Sequence, residues 1–278
     1  MTIEKELLEN TFKGNIFETA VELRCSVQTI MASLIKHNIK FEKPKHIFSD
    51  LKKTEFSLYQ KNLLVGGLLG DSCVYKKFNT RNAVLEFNHT VKQTDWAMWK
   101  ANNLKPFFHD TAIVNVKGVK HHRFEDIRGI HYSDTSDTIR ICLNSHPYFS
   151  ELRNIFYPNG KKIIPINYLE TYFNMDSLAV LIGDDGCLIS NGYSIKICTQ
   201  GFTKTDVFLL AEFLKKFHRG TISVKEAKYL KGIKYYIYMG VMAGNKEFVR
   251  AIKNRLPKCM HYKIPLVLNE HQVATHNE

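Results

Sequence analysis

Two aspartates, Asp71 and Asp185, stand where a carboxylate is electrostatically disfavoured. Each closes a short apolar run with helical character, Leu63-Leu-Val-Gly-Gly-Leu-Leu-Gly-Asp-Ser and Leu178-Ala-Val-Leu-Ile-Gly-Asp-Asp-Gly-Cys. A helix C-terminus carries partial negative charge, so an acid there in both runs points to a bound cation. Small residues recur at i and i+4, Gly66/Gly70 and Ala179/Gly183, and their lack of bulk lets two helix backbones approach closely. That approach would bring the terminal carboxylates together, where they repel unless a cation lies between them. An oxygen-rich site without Cys/His ligand spacing suits Mg²⁺, with Mn²⁺ as a substitute, better than zinc. In the second run Asp184 and Asp185 compete for this place.

The elements that must position these acids occur twice. After each run comes a strand-like alternation and then a matching junction, Asn88-His-Thr-Val-Lys-Gln-Thr-Asp-Trp and Thr199-Gln-Gly-Phe-Thr-Lys-Thr-Asp-Val. Farther on, Ser145-His-Pro-Tyr-Phe-Ser-Glu-Leu-Arg-Asn-Ile-Phe resembles Gly244-Asn-Lys-Glu-Phe-Val-Arg-Ala-Ile-Lys-Asn-Arg-Leu. Each copy ends on a lysine near a proline, Lys161-Lys-Ile-Ile-Pro165 and Met260-His-Tyr-Lys-Ile-Pro265. The order is helix, two strands, helix, two strands, helix, an α+β unit duplicated over residues 57–174 and 175–278. Strand-like stretches are Ala83–His89, Ala112–Lys117 and Thr138–Asn144, then Tyr193–Thr199, Thr221–Lys225 and Lys234–Met239. Helices are expected at Gln93–Asn102, Tyr148–Phe156, Thr203–Phe217 and Lys246–Leu256, and Thr203 suits a helix start. Along Thr138–Asn144, Ile139, Ile141 and Leu143 alternate with Arg140, Cys142 and Asn144, so one sheet face can bury while the other presents polar groups.

Composition narrows the class. The net charge is +12, carried mainly by the two repeated segments and hardly by residues 1–56, a distribution that attracts a polyanion. Hydrophobic residues make up 44% of the chain, which excludes a disordered polymer. No apolar run approaches the ~20 residues of a membrane span. Met1-Thr-Ile-Glu-Lys-Glu lacks signal-peptide order. The six cysteines show no Cys-x-x-Cys spacing, as expected of a reducing compartment. A cytoplasmic location is expected, in a bacterial or phage-infected cell, with an organellar matrix as the alternative.

The paired motifs, the Thr-Gln-Gly-Phe-Thr-Lys junction and the Met-His-Tyr-Lys-Ile ending together resemble the LAGLIDADG homing endonucleases in their single-chain, two-motif form. The resemblance covers roughly residues 57–266. It implies two pseudo-symmetric αββαββα units forming a saddle of antiparallel sheets. It further implies Mg²⁺-dependent, site-specific cleavage of both strands of DNA, leaving short 3′ overhangs, by a monomer on a long double-stranded target. The family pattern of an acid followed directly by glycine selects Asp185 over Asp184, so Asp71 and Asp185 are the expected metal ligands. Ser72 stands where that glycine is expected in the first motif. Lys162 and Lys263 match basic residues beside the cleaved phosphate, where a cation stabilises developing charge; Lys161 is an alternative to Lys162. His89 and Gln200 match the polar position that orders water.

A two-stranded ribbon fits the major groove, so DNA reading is assigned to polar sheet positions: Glu86, Asn88, Asn115, Lys117, Arg140, Asn144, Lys196, Ser223 and Lys225. His121, His122 and Arg123 read as a basic loop. Residues 1–56 lie outside the repeat and resemble a helix-turn-helix module with helices at Ile16–Leu23 and Val27–His37. Ser26 caps the second, and Ala20, Leu23, Val27, Ile30 and Leu34 form its core. Gln28, Thr29, Ser33 and Lys36 would then face DNA. Residues 42–56, with Pro44, read as the linker. Two other functions use the same fold, an RNA-binding maturase acting on intron RNA and a catalytically inactive DNA-binding regulator. The presence of Asp71, Asp185, Lys162 and Lys263 disfavours the regulator.

Overall fold

The computed structural model describes residues 3–265 apart from 24, 26, 42–50, 79, 109–112, 120–123, 127–128, 132–135, 190–191, 230–231 and 242–244. The expected Ser26 cap, the Pro44 segment and the His121–Arg123 loop lie outside the described residues.

Each repeat begins with a helix anchored by its own side chains. In α4 (Leu58–Leu69) Ser57 and Gln60 form a capping box, and in α8 (Met175–Asp185) Asn174 and Ser177 do the same. These caps satisfy backbone donors that a helix start leaves unpaired. The first unit continues through β1 (Ser72–Tyr75), β2 (Val84–Thr90), α5 (Thr94–Asn103), β3 (Ile113–Val119), β6 (Ser136–Cys142) and α6 (Pro147–Phe156). A short hairpin, β4 (Phe124–Asp126) and β5 (Gly129–His131), interrupts it. A linking helix, α7 (Ile166–Tyr172), precedes the second unit. That unit runs α8, β7 (Gly186–Leu188), β8 (Ser194–Cys198), α9 (Lys204–Leu214), β9 (Thr221–Tyr229), β10 (Gly232–Gly240) and α10 (Lys246–Lys253). The expected cap of α9 is present, with Thr203 and Asp206 completing a capping box. Among the described residues the inserted hairpin and α7 have no counterpart in the other repeat, and the repeat pattern does not anticipate them.

The two sheets have matching antiparallel order, β1-β2-β6-β3 and β7-β8-β10-β9. Leu85, Phe87, Ile139 and Ile141 point into one core with Ile195, Ile197, Ile237 and Met239 of the second sheet, beneath the helices. The fold is therefore the expected mixed architecture with two antiparallel four-stranded sheets.

At the centre α4 and α8 touch backbone to backbone. A Cβ on Gly66 would fall 2.3 Å from the Ser177 carbonyl oxygen, and one on Gly70 would fall 2.6 Å from the Asp184 Cβ. Ser177 Oγ donates across this contact to the Asn62 carbonyl at 2.7 Å. Gly183 serves a different neighbour, since a Cβ there would strike Trp96 at 2.6 Å. The expectation of matched small residues on both helices thus holds for α4, while α8 contributes Ser177 and Asp184.

The amino-terminal module has its own core of Leu8, Ile16, Ala20, Ile30 and Leu34, built from α1 (Lys5–Thr11), α2 (Ile16–Glu22) and α3 (Val27–Lys36). Within the expected linker, Leu51 and Phe56 are buried, while residues 52–55 are exposed. The Phe56 ring stacks on Phe107 with centroids 3.6 Å apart, and His146 Nε2 lies 3.1 Å from both the Leu51 and Thr54 carbonyl oxygens.

Overpacking an interior contact costs about 1–3 kcal/mol. Gly66→Ala should therefore lower the urea-unfolding free energy by about 2 kcal/mol. Gly201→Ala, which meets no atom within 4 Å, should leave it unchanged.

Candidate active site

Both motif helices turn directly into the first strand of their unit. Asp71 precedes β1 and Asp185 precedes β7. Gly70 faces Asp184 across the helix contact, and the residues that follow them, Asp71 and Asp185, are near enough for the Asp71 charge to raise Asp185.

Asp184 is committed to the interface. Its side chain is fully buried. Oδ1 accepts from Trp96 Nε1 at 2.8 Å and from Lys100 Nζ at 2.7 Å, and Oδ2 accepts from the Asp71 backbone N–H at 3.2 Å. Trp96 and Lys100 stand one turn apart on α5, and Lys100 Nζ also lies 4.6 Å from the centre of the Phe87 ring. Removing one partner from such a buried pair leaves an uncompensated charge, so the arrangement is self-locking. Reading the motifs alone overlooks these two residues. The visible signal is the departure from the repeat: Trp96 and Lys100 follow the first Thr-Asp junction where Val207 and Ala211 follow the second.

Asp71 and Asp185 differ from Asp184. Neither carboxylate accepts a hydrogen bond among the described residues; the nearest basic atom to Asp71 is His89 Nδ1, 3.6 Å from Oδ2. Burial, aided by repulsion from Asp184, pushes the Asp71 carboxyl up to about 6. Burial with repulsion from Asp71 and Asp184 pushes Asp185 up to about 7. Lys162 and Lys263 oppose both shifts. Lys162 Nζ donates to the carbonyls of Gly70 at 3.0 Å and Ser72 at 3.2 Å. Lys263 Nζ donates to those of Gly183 at 2.6 Å and Asp184 at 2.9 Å. Each lysine thus caps the end of one motif helix beside its acid, while Lys161 is exposed.

His89 sits between the acids on the core side of β2. Burial lowers its pKa to about 4, so the ring is neutral near pH 7. Its Nε2 is buried without a hydrogen bond, 3.8 Å from Asp184 Oδ1. One ligand atom each from Asp71, His89 and Asp184 falls within 4.8 Å of the others. A cation using Asp184 would compete with Trp96 and Lys100, whereas the oxygens of Asp71 and Asp185 are open. The donor set fits a hard divalent cation.

Gln200 occupies a different position from His89. The registers Ser72↔Phe87 and Gly186↔Ile197 make Phe87 equivalent to Ile197, and hence His89 to Thr199. Thr199 is buried and donates to the Tyr235 carbonyl at 2.9 Å. Gln200 lies just past β8, half-buried, with its side chain hydrogen-bonded to Cys198.

Ladder register sorts the expected DNA-reading positions. Glu86, Asn88 and Arg140 share the face turned away from the core. On the second sheet Lys196 and Ser223 flank Tyr238, and Lys225 pairs with Tyr236, on the corresponding face. Asn115 pairs with Ile139 and so shares that residue's face, yet it is exposed on the edge strand β3. Lys117 is exposed within the irregular stretch between Val116 and Val119. Asn144 lies past the end of β6 with its amide nitrogen buried and unpartnered. In the amino-terminal module Lys36 is exposed and Thr29 half-buried. Ser33 is fully buried, accepting from the Ile3 N–H and donating to the Thr29 carbonyl, so it cannot face DNA in this packing. The Gln28 side chain lies outside the described residues.

Carboxyls raised on folding hold protons more tightly in the folded chain, so their stabilising effect fades as pH rises from about 4 through 7. In EDTA the melting temperature should fall over that range relative to the Asp71→Asn/Asp185→Asn double variant, which retains the opposing rise from the buried neutral His89, His146 and His218. Mg²⁺ should oppose the fall, with its benefit vanishing as the carboxyls protonate below about pH 5. An Asp71→Asn/Asp185→Asn double variant should lack both the pH-linked loss and the Mg²⁺ effect in the same melting series.

No helix among the described residues is long and apolar enough to cross a membrane. Comparison with known proteins agrees with the geometry. A family model described as the LAGLIDADG DNA endonuclease family matches residues 61–246. An uncharacterized protein of Methanocaldococcus jannaschii is 28% identical over 203 residues, 71% of either chain. The intron-encoded endonuclease ai4 of Dictyostelium discoideum is 27% identical over 136 residues, 48% of this chain and 82% of that one. The homing endonuclease I-WcaI, solved bound to its DNA recognition sequence, shares the fold at a TM-score of 0.62 and 24% identity, over 84% of this chain and 97% of that one. With both motif helices and most of both sheets inside the matched region, the chain belongs to the LAGLIDADG DNA endonuclease family.

Proposed function

We propose that the protein is a monomeric, site-specific homing endonuclease that makes double-strand breaks in DNA by Mg²⁺-dependent hydrolysis, leaving short 3′ overhangs. One observation carries this reading: beside the contact of α4 and α8, Asp71 repels Asp185 and neither carboxylate accepts a hydrogen bond among the described residues, while the adjacent Asp184 accepts three. A folded protein gains nothing structural from two such groups, and a divalent cation relieves both.

Asp71 and Asp185 would hold the metal. Bound there, Mg²⁺ supplies water activation and stabilises the leaving oxygen. Lys162 and Lys263, tethered at the two helix ends, would offset charge building on the phosphate. The neutral His89 ring and Gln200 would orient water. The outward sheet positions Glu86, Asn88, Arg140, Lys196, Ser223 and Lys225 supply the surface for double-stranded DNA, and the exposed Lys36 of the amino-terminal module would add a phosphate contact. The positive charge of both repeats supports a polyanionic substrate.

The test is strand-resolved cleavage of DNA carrying the uninterrupted insertion site, beside a gel-shift titration. Cleavage should require Mg²⁺ or Mn²⁺ and stop in excess EDTA. Asp71→Asn and Asp185→Asn should each abolish cutting of both strands while DNA binding persists or tightens. Cutting that survives EDTA, or that survives both substitutions, would reject this function.

A further inference from the structure

The outward face of the first sheet carries a side-chain network that the described residues at the equivalent positions of the second do not repeat. Glu86 and Asn88 lie two apart on β2, and Arg140 pairs directly with Asn88 on β6. Glu86 is almost buried. Its Oε2 accepts from the Tyr75 hydroxyl at 2.7 Å, and its Oε1 accepts from Asn88 Nδ2 at 3.2 Å. Asn88 Oδ1 in turn accepts from Arg140 Nε at 3.3 Å, and that Nε lies 3.5 Å from Glu86 Oε1.

The chemistry of base recognition separates the three residues. A carboxylate reads cytosine by accepting from its amino group, and an asparagine reads adenine by donating and accepting at once. Both oxygens of Glu86, and both ends of the Asn88 amide, are already engaged within the protein. Arg140 uses only Nε internally. Its side chain is 48% exposed, and its two terminal amines have no protein partner among the described residues. Those amines form a fork that matches the paired O6 and N7 acceptors of guanine in the major groove.

We propose that Arg140 reads a guanine in the half-site beneath the first repeat, and that Glu86, with Asn88, is the positioning residue that aims its fork. This rests on the endonuclease reading above and names one element of its specificity. The second repeat reads the matching place differently: register makes Lys196 the equivalent of Glu86, Cys198 of Asn88 and Tyr236 of Arg140. There Lys196 Nζ lies over the Tyr236 ring, 4.5 Å from its centre. Opposite chemistry at equivalent positions makes the target asymmetric, with the Arg140-dependent guanine in one half only.

The experiment is selection of bound sequences from a randomised duplex pool by the full chain in EDTA, repeated with Arg140→Ala and Glu86→Gln. The wild-type protein should enrich an asymmetric motif. Arg140→Ala should flatten one guanine column, losing about tenfold to hundredfold discrimination there, and leave the other columns intact. Glu86→Gln, which keeps shape and removes charge, should weaken that same column only; a structural defect would erode all columns together. An unchanged motif with Arg140→Ala, or flattening at a base other than guanine, would overturn the assignment. A Glu86→Gln motif indistinguishable from wild type would overturn the positioning role. Enrichment of no sequence by the wild-type chain would instead overturn the site-specific function on which the inference depends.

Discussion

The close approach of two helix backbones governs this molecule. Gly66 and Gly70 remove the side chains that would hold α4 and α8 apart, and the capping boxes at Ser57 and Asn174 fix where each helix begins. Because each helix runs straight into the first strand of its sheet, the contact also sets how the two sheets are placed. It buries Asp184 completely and sets Asp71 and Asp185 close enough to it and to each other for repulsion to raise Asp185. Packing, sheet placement and the acidity of the centre thus follow from one steric constraint.

Within a duplicated architecture the centre is unequal. Gly70 confronts Asp184, and the excess acid on one side is matched by Lys100 reaching in from the other unit, with Trp96 filling the space above Gly183. Neither feature stands alone: without Lys100 the acid would be buried unpaired, and with any larger residue than Gly183 the indole would be displaced. Such a set changes together or not at all.

Much of this was legible in the residues, because helix and strand periodicity are local. The glycines, the Thr203 cap, the paired sheets and the separate helical module all follow from spacing within a few residues. What escaped depends on approach between distant segments. Gly183 reads like Gly70 in the chain, yet its reason is Trp96, a neighbour 87 positions away that no local pattern announces. Asn115 shares the face of Ile139 yet stays exposed because β3 is an edge strand, a placement that alternation within one strand does not reveal. Ser33 lies on a helical stripe that ought to be wet but is covered by the backbone at Ile3. The equivalence of His89 with Thr199 likewise emerges only from pairing across strands. Among the described residues, the helix α7 and the hairpin β4-β5 have no duplicate with which to be compared.

Both tryptophans of the chain, Trp96 and Trp99, sit on one helix with rings stacked at 5.1 Å. One of them is hydrogen-bonded to Asp184 at the heart of the molecule. Excited beyond the absorption of the 13 tyrosines, the emission of this protein therefore originates from a single place, a coupled indole pair beside the buried charges. Tryptophan fluorescence, usually an average over scattered indoles, here becomes a label-free gauge of the electric field at the axis.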